Sequence, residues 1–280
     1  MDLSICLVPL NALSYLEPLL ASIQQHTSGL SYEVIVVDNA STDGTVDWIV
    51  QNHPEITLIR NQSNVGFTRG NNQAMALAKG EFLLLLNPDT LLTGDCFGPQ
   101  IAWLRENPEA GISIPKVLNA DGSFQQQSRR GDARPAEVFG YFLKLGKLFP
   151  KNRALNGYLQ SWLPEDEVAE VKAVSGSCMF IRRQVYEQIG GLDEQFFAYQ
   201  EDSDYCIRAR QAGWKVMYVP LSSIIHYGGE GGSKTQPYYA IFQWHRSYFL
   251  YYRKHFAREH FFLFNWFYYL VMIAKLFFAW

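Results

Sequence analysis

Three carboxylates within four positions follow an aromatic run in Phe197-Ala198-Tyr199-Gln200-Glu201-Asp202-Ser203-Asp204. Acids beside aromatic side chains are costly to desolvate unless they are paired or used in chemistry. At the mouth of a cleft, one of them can act as a general base while its neighbours bind polar partners. The same residues also fit the solvated first turn of a helix, where acids favour the amide dipoles. Other chemistry-bearing residues stand far from this cluster. Asp89, in Asn87-Pro88-Asp89-Thr90, is suited to hold Mg²⁺ or Mn²⁺, hard cations that take oxygen ligands and leave room for diphosphate oxygens. Its plain alternative is an ordinary Asn-Pro-Asp turn. His226 follows Ile224-Ile225 and precedes Tyr227-Gly228-Gly229-Glu230-Gly231-Gly232-Ser233. A histidine at a strand end is commonly structural, but those glycines suit a loop that closes over a bound ligand.

The elements that must position these residues alternate along the first half. Leu3 to Val8 reads as a strand. Ser14-Tyr15-Leu16-Glu17 matches a capping box opening a helix to about Gln25, with Pro18 in its first turn. Glu33 to Val37 is a β-branched run of the kind buried on both faces, and it ends in the turn-rich Asp38-Asn39-Ala40-Ser41-Thr42-Asp43-Gly44. Ile56 to Ile59 is a third strand. The polar loop Asn64 to Asn72 opens a helix to Lys79, with Gly80 as its stop. Glu81 to Leu86 is a buried strand closed by Asn87. Strand, polar loop and helix in repetition predict a parallel doubly wound α/β sheet. Ligands bind such sheets at the carboxyl ends of the strands, where Asn11, Asp38, the Asn64–Asn72 loop and Asp89 all fall. No Gly-x-Gly-x-x-Gly or Walker loop is present, which disfavours dinucleotide and P-loop chemistry.

The segments Val37-Asp38-Asn39-Ala40-Ser41-Thr42-Asp43-Gly44-Thr45, Asn64-Val65-Gly66-Phe67-Thr68-Arg69-Gly70-Asn71-Asn72 and Leu86-Asn87-Pro88-Asp89 resemble, in that order, family 2 glycosyltransferases of the rhamnosyltransferase-like branch. So do Gly191-Leu192-Asp193-Glu194-Gln195-Phe196-Phe197 and the Glu201-Asp202-Ser203-Asp204 cluster. The resemblance spans about Leu3 to Lys254 with a gap in the middle. It implies a GT-A fold and inverting transfer of a sugar from a nucleotide diphosphate donor, a UDP- or dTDP-sugar with dTDP-rhamnose among the choices. By resemblance Asp202 is the catalytic base beside Glu201, and Asp38 bonds the nucleobase. Asn11, Asn39, Asn64, Gly66, Arg69, Gly70, Asn71, Asn87 and Asp89 line the donor pocket, and Asp89 and His226 hold Mg²⁺ or Mn²⁺. Asn87 stands where many members have a first acid, which shifts metal binding toward the donor's own phosphates. Pro9-Leu10 replaces a polar-aromatic pair and removes a ring that would stack on the base. In-line displacement needs a base for the acceptor hydroxyl and a cation for the departing diphosphate.

The remaining features bound the partners. With 280 residues and a hydrophobic fraction of 48%, the chain has ample core. A net charge of −3 argues against nucleic acid. Four scattered cysteines show no zinc or redox spacing and are expected reduced and buried. Asp2, the lack of basic residues before it and Pro9 within the apolar run argue against a secretory signal. Asp95 to Asn107 is an expected helix, Ile112 to Ile114 a strand and Asp121-Gly122-Ser123 a hairpin turn. Residues 128–168 show no period and read as a solvated insertion, or as a place where Arg129, Arg130 and Arg134 meet an anionic acceptor such as a lipid diphosphate. Val171 to Ile181 is a strand interrupted by Ser175-Gly176-Ser177, small enough for close approach to a sugar, and Arg182 to Ile189 is a helix.

The final stretch, 241–280, is rich in aromatics. Phe261 to Trp280 carries one charge, Lys275, and is long enough to span a bilayer. Its apolar residues contribute roughly −4 to −6 kcal/mol to insertion before one Lys costs about +2.5 to +3.5. Lys275 lies near enough to the end to snorkel. Arg246, Arg253, Lys254, Arg258 and His260 precede it and place that side in the cytoplasm. An in-plane interfacial helix and a buried core helix are the other readings. The expected organisation is a GT-A domain over 1–240, with a nucleotide-binding half at 1–115 and an acceptor half at 116–240, followed by aromatic helices over 241–280. The expected role is in cell-surface polysaccharide synthesis at the cytoplasmic face of the inner or plasma membrane, or in the cytoplasm, on a glycan or lipid-linked acceptor. A non-catalytic sugar-nucleotide or glycan binding protein on the same fold is the rival from another class. A sugar-1-phosphate nucleotidyltransferase lacks the basic glycine-rich loop it would need.

Overall fold

Apolar runs separated by polar loops build one layered sheet, and the computed structural model describes residues 1–149, 152–229 and 236–279 of it and its surroundings. The first half contains β1 (Leu3–Leu7), α1 (Leu13–His26), β2 (Tyr32–Asp38), α2 (Thr45–Asn52), β3 (Thr57–Arg60) and α3 (Phe67–Leu77). It continues through β4 (Phe82–Leu86), β5 (Thr90–Leu92), α4 (Phe97–Glu106) and β6 (Ala110–Leu118). Next come β7 (Arg129–Arg130), α5 (Pro135–Phe142), α6 (Leu145–Leu148), α7 (Arg153–Asn156), β8 (Ala169–Glu170), β9 (Ala173–Val174) and β10 (Cys178–Arg182). The chain closes with α8 (Arg183–Ile189), α9 (Glu201–Gln211), β11 (Lys215–His226), α10 (Pro237–His255) and α11 (Phe262–Ala279).

The main sheet runs β3-β2-β1-β4-β10-β6-β11-β5. Its first four strands pair in parallel, and every residue of β1 and β4 is buried, as continuous apolar strands covered on both faces require. The doubly wound expectation holds there and changes beyond it, because β10 is antiparallel to both β4 and β6. Parallel neighbours need a long crossover. β10 instead follows β9 through the short turn Ser175-Gly176-Ser177 and enters from the opposite end. That reversal brings the turn to the carboxyl end of β4, where Ser177 O accepts the Asn87 amide at 3.0 Å.

Several local expectations are corrected. Helix α1 begins at Leu13, ahead of the predicted capping box, and Ser14 makes no cap bond. Asp43 Oδ2 accepts the Leu13 amide instead at 3.0 Å, so a loop distant in sequence supplies the missing acceptor, and Pro18 lies past the first turn. Residues 128–168 are not a solvated insertion. They carry α5 to α7, and Val138 and Tyr158 are buried in a second core with Phe196, Ile207, Tyr248, Tyr251 and Tyr268. Lys275 does not snorkel: its Nζ lies 3.5 Å from the Phe142 ring centroid and 3.8 Å from that of Trp244. This cation–π clamp ties α11 to α5 and α10. Tyr268 and Met272 of α11 are buried in the same core, and Tyr252 stacks on Tyr268 at 3.9 Å. The four cysteines are buried free thiols, as expected.

Candidate active site

A cleft of about 540 Å³ opens at the carboxyl ends of β1 and β4, the edge where open α/β sheets take ligands. One wall is the start of α9. The backbone reaches it through two consecutive left-handed residues, Tyr199 (φ 67°) and Gln200 (φ 63°). Such strain in non-glycine residues clusters at functional sites, and here it turns Glu201 and Asp202 into the cleft. Asp202 Oδ2 accepts from Arg130 Nη2 at 2.6 Å and from the Gly176 amide at 3.2 Å. Its Oδ1 accepts from the Ser203 amide at 2.6 Å. The carboxylate is therefore buried, paired with a guanidinium and aimed. Glu201 is treated differently. Its Oε2 is buried without a hydrogen-bond partner among the described residues. Burial, and then the Asp202 charge beside it, push its carboxyl up to about 8. At neutral pH Glu201 keeps its proton.

Asp204 belongs to the scaffold. It is fully buried and meets Arg208 at 2.9 Å, Lys254 at 2.5 Å and His255 at 2.7 Å. Burial alone would raise its carboxyl, but the hydrogen bonds from His255 and Lys254 outweigh this and hold it below the ordinary range. The predicted cluster thus divides into two residues facing the cleft and one that fastens α10 to α9.

The opposite wall gathers Asn87, Asp89 and His226. β11 pairs with β5 so that His226 stands opposite Thr90, which brings it to the loop after β4. His226 Nδ1–H donates to Gln125 Oε1 at 2.8 Å, and Gln125 is itself oriented by donating to Asn119 Oδ1 at 3.0 Å. That bond sets the tautomer. The Nε2 lone pair consequently accepts from Asn87 Nδ2 at 3.1 Å and lies 3.3 Å from Asp89 Oδ1. The two atoms are close enough together to serve one cation. Carboxylate, imidazole and amide oxygen form a donor set compatible with Mn²⁺ or Mg²⁺. Among the described residues no group of three or more His, Cys, Asp and Glu could hold an ion, so an ion here would need further ligands from a bound substrate. The glycine loop after His226 that was expected to close falls largely on 230–235, outside the described residues.

Of the residues assigned by resemblance, Asn39, Asn64, Asn87, Asp89, Glu201, Asp202 and His226 line the cleft. Asp38 is buried at the end of β2. Its Oδ2 accepts the Ser41 amide at 3.0 Å, while Oδ1 has no hydrogen-bond partner among the described residues. Asn11 lies in the neighbouring loop, where its Oδ1 accepts the Thr42 amide at 2.7 Å. Gly66, Arg69, Gly70 and Asn71 lie outside the lining. A Cβ on Gly66 would meet Phe197 O at 2.5 Å, and one on Gly70 would meet Val8 Cγ1 at 2.6 Å. Both glycines therefore set packing around the cleft. Asn71 donates back to Phe67 O at 2.9 Å, and the exposed Arg69 pairs with Glu194 at 3.5 Å. Gln125 is not among the residues the sequence singles out, and Arg130 is expected there only as one of three arginines meeting an anionic acceptor. The Arg129-Arg130 doublet carried a signal for anion binding, but nothing local tied it to Asp202, 72 positions away. Arg129 is structural: it donates to Pro164 O at 2.7 Å and lies over the Tyr218 ring at 4.4 Å.

Comparison with known proteins matches this arrangement. The family model described as Glycosyl transferase family 2 covers residues 4–190. The chain is 32% identical to the N-acetylglucosaminyl-diphospho-decaprenol L-rhamnosyltransferase of Mycobacterium tuberculosis over 225 residues, covering 76% of this chain and 72% of that one. It is 25% identical to the rhamnosyltransferase WbbL of Escherichia coli over 223 residues, covering 76% and 79%. The mannosyltransferase of Pyrobaculum calidifontis, solved with GDP-Man and Mn²⁺, superposes with a TM-score of 0.59 at 18% identity, over 90% of this chain and 63% of that chain. The S. aureus TarS 1–349 structure with UDP superposes with a TM-score of 0.56 at 15% identity, over 90% and 65%. Those likenesses establish the GT-A fold, and the match from β1 to the end of α8, together with the rhamnosyltransferase relatives, places this chain in glycosyl transferase family 2.

Proposed function

We propose that the protein is an inverting glycosyltransferase that moves a sugar from a nucleotide diphosphate donor to a hydroxyl of a lipid-linked glycan acceptor in surface polysaccharide synthesis. The observation that carries this reading is the pairing of two walls across one cleft: Asp202, held by Arg130 and Gly176, faces the Asn87–Asp89–His226 group. Asp202 takes the proton of the acceptor hydroxyl as that oxygen attacks the anomeric carbon from the face opposite the departing diphosphate. The Gly176 amide and Ser203 amide keep its two oxygens aimed, so little reorientation is needed. Protonated Glu201 offers a donor rather than a second base. Asn87, Asp89 and His226 would hold Mg²⁺ or Mn²⁺, which when bound neutralises charge growing on the diphosphate. The unpartnered Asp38 oxygen is an acceptor for a nucleobase N–H. The rhamnosyltransferase relatives support a rhamnosyl donor, one of them supports a sugar-diphospho-polyprenol as acceptor, and our reading of the nucleotide as dTDP or UDP is tested by the donor panel below.

The chain organisation follows: a catalytic domain over 1–240 and aromatic helices over 241–280 lying in the plane of the cytoplasmic membrane surface. α11 packs one face on the protein, while Trp266, Phe267, Phe277 and Phe278 remain exposed, which supports an in-plane helix over a spanning one.

The test is release of nucleotide diphosphate from a panel of dTDP- and UDP-sugars by purified protein, with Mn²⁺ or Mg²⁺ against EDTA and beside Asp202→Asn. Turnover of one donor that EDTA abolishes and Asp202→Asn lowers by about 100- to 10,000-fold is the expected result. Nucleotide binding without turnover on any donor, with membrane lipid supplied as acceptor, would favour a binding protein instead.

A further inference from the structure

A second cavity, of about 640 Å³, lies beside the cleft, walled by α5, α7 and the segment after it. Its volume is in the range of roughly 300–1,000 Å³ typical of small-molecule sites. Leu155, Leu159 and Trp162 line it together with Gln126, Lys144, Asn156 and Ser161, and Tyr141, Phe142 and Tyr158 line both it and the catalytic cleft. Tyr141 packs on Tyr158 with centroids 4.9 Å apart, so the two spaces are separated by an aromatic partition only. On the cleft side of that partition stands Arg130. Its Nη2 holds Asp202, but its Nε–H is buried and has no hydrogen-bond partner among the described residues. In the segment that follows α5, Leu143, Leu148 and Phe149 are exposed at 64%, 72% and 54%, and Lys144 lines the cavity. Solvated segments do not ordinarily present such a run of apolar side chains. The neighbouring α11 turns its own aromatic face outward beside α5, to which Phe139–Tyr268 and Lys275–Phe142 contacts join it.

We infer that this cavity is the subsite for the first isoprenoid units of a lipid diphosphate acceptor, whose diphosphate passes Arg130 and whose sugar hydroxyl reaches Asp202. The inference rests on the glycosyl-transfer reading for the role of Asp202, while the cavity and its cation are independent of it. A molecule occupying both spaces needs an apolar tail, an anionic joint at the partition and a polar head in the cleft. An isoprenoid chain needs no polar partners and can lie along the apolar share of the outer cavity, formed by Leu155, Leu159, Trp162 and the aromatic partition. The apolar segment after α5, together with α11, would hand the rest of the chain to the bilayer. Release of the Arg130 guanidinium toward the diphosphate would free the Asp202 carboxylate as the acceptor seats.

The experiment is calorimetric binding of farnesyl diphosphate, methyl diphosphate and farnesol to the full chain and to Leu159→Arg and Ser161→Trp, which put a charge or bulk into the outer cavity only. Farnesyl diphosphate should bind at least tenfold tighter than either of the other probes, and both variants should lose that advantage. Their melting temperature and their dTDP or UDP binding should match the parent, which shows that they fold. The inference fails if farnesyl diphosphate binds no tighter than methyl diphosphate or farnesol, or if its advantage survives in both folded variants. Chain-dependent binding with no sugar transfer on any donor would overturn the reaction and keep the cavity. Transfer to a chainless acceptor without chain-dependent binding would do the reverse.

Discussion

Glu201 and Asp202 are adjacent, both buried, and chemically unlike, because only one of them has a cation. Glu201 has a carboxyl pushed from 4.5 to about 8. A carboxyl raised in the folded state binds a proton that the unfolded chain has already released. Its contribution to stability is thus complete below pH 4.5 and is lost as pH rises to about 8. Glu201→Gln should remove that slope, and thermal melts across this window should show a flatter profile with a gain at neutral pH. An unchanged slope would mean that Glu201 is ionised in the fold. Arg130 poses the opposite problem. Removing it leaves the Asp202 charge buried without its partner, which typically costs about 3–5 kcal/mol. Arg130→Ala should lower the denaturant midpoint accordingly and abolish transfer, whereas an unaltered midpoint would mean that water replaces the guanidinium freely.

At the scale of elements, the cleft depends on close approach between segments far apart in sequence. Gly66 precedes α3 with φ 90°, and a Cβ there would meet Phe197 O at 2.5 Å and Phe197 Cδ2 at 2.7 Å. The Thr68 amide also donates to Phe197 O at 3.3 Å, tying the start of α3 to the loop that leads to α9. Gly66→Ala therefore combines a left-handed backbone strain with a backbone clash. It should cost about 1–3 kcal/mol and displace the Phe197–Gln200 loop that aims Asp202. Equilibrium unfolding and acceptor-side kinetics test this together: loss of stability with unchanged kcat would separate the loop from catalysis.

Across the whole molecule, the second core joins α5, α9, α10 and α11, so the aromatic C-terminal helix is packed into the fold rather than detached from it. Lys254 is held by Asp193 and Asp204, and Arg246 donates to Gln195 O at 2.9 Å. Arg253 and Arg258 are exposed, and in the proposed in-plane arrangement they would meet anionic lipid. Substituting Trp266, Phe267 and Phe277, exposed at 65%, 56% and 78%, by Glu should weaken binding to anionic phospholipid vesicles by about tenfold or more. Hydrolysis of a soluble donor should persist. Vesicle flotation that is indifferent to all three changes would end the in-plane reading.

The chain itself determined the strands β1, β2 and β4 and the polar loops at their carboxyl ends, because hydrophobic period and turn composition are local properties; roles for Asp89, His226, Glu201 and Asp202 were implied only by the family resemblance. The position of Asp38 at the end of β2 follows from the same pattern. Tertiary structure decided the rest. The antiparallel insertion of β10 places Ser175-Gly176-Ser177 beside Asn87, and the cap on α1 comes from Asp43. Which of the two adjacent acids is paired depends on Arg130, 72 residues away, since a buried carboxyl is partnered by whatever packing brings near it. Lys275 reads as a snorkelling residue until α5 and α10 supply two rings to hold it. The middle segment has no readable period because its helices are short and bury aromatics against α10 and α11, a surface that exists only once the chain has folded.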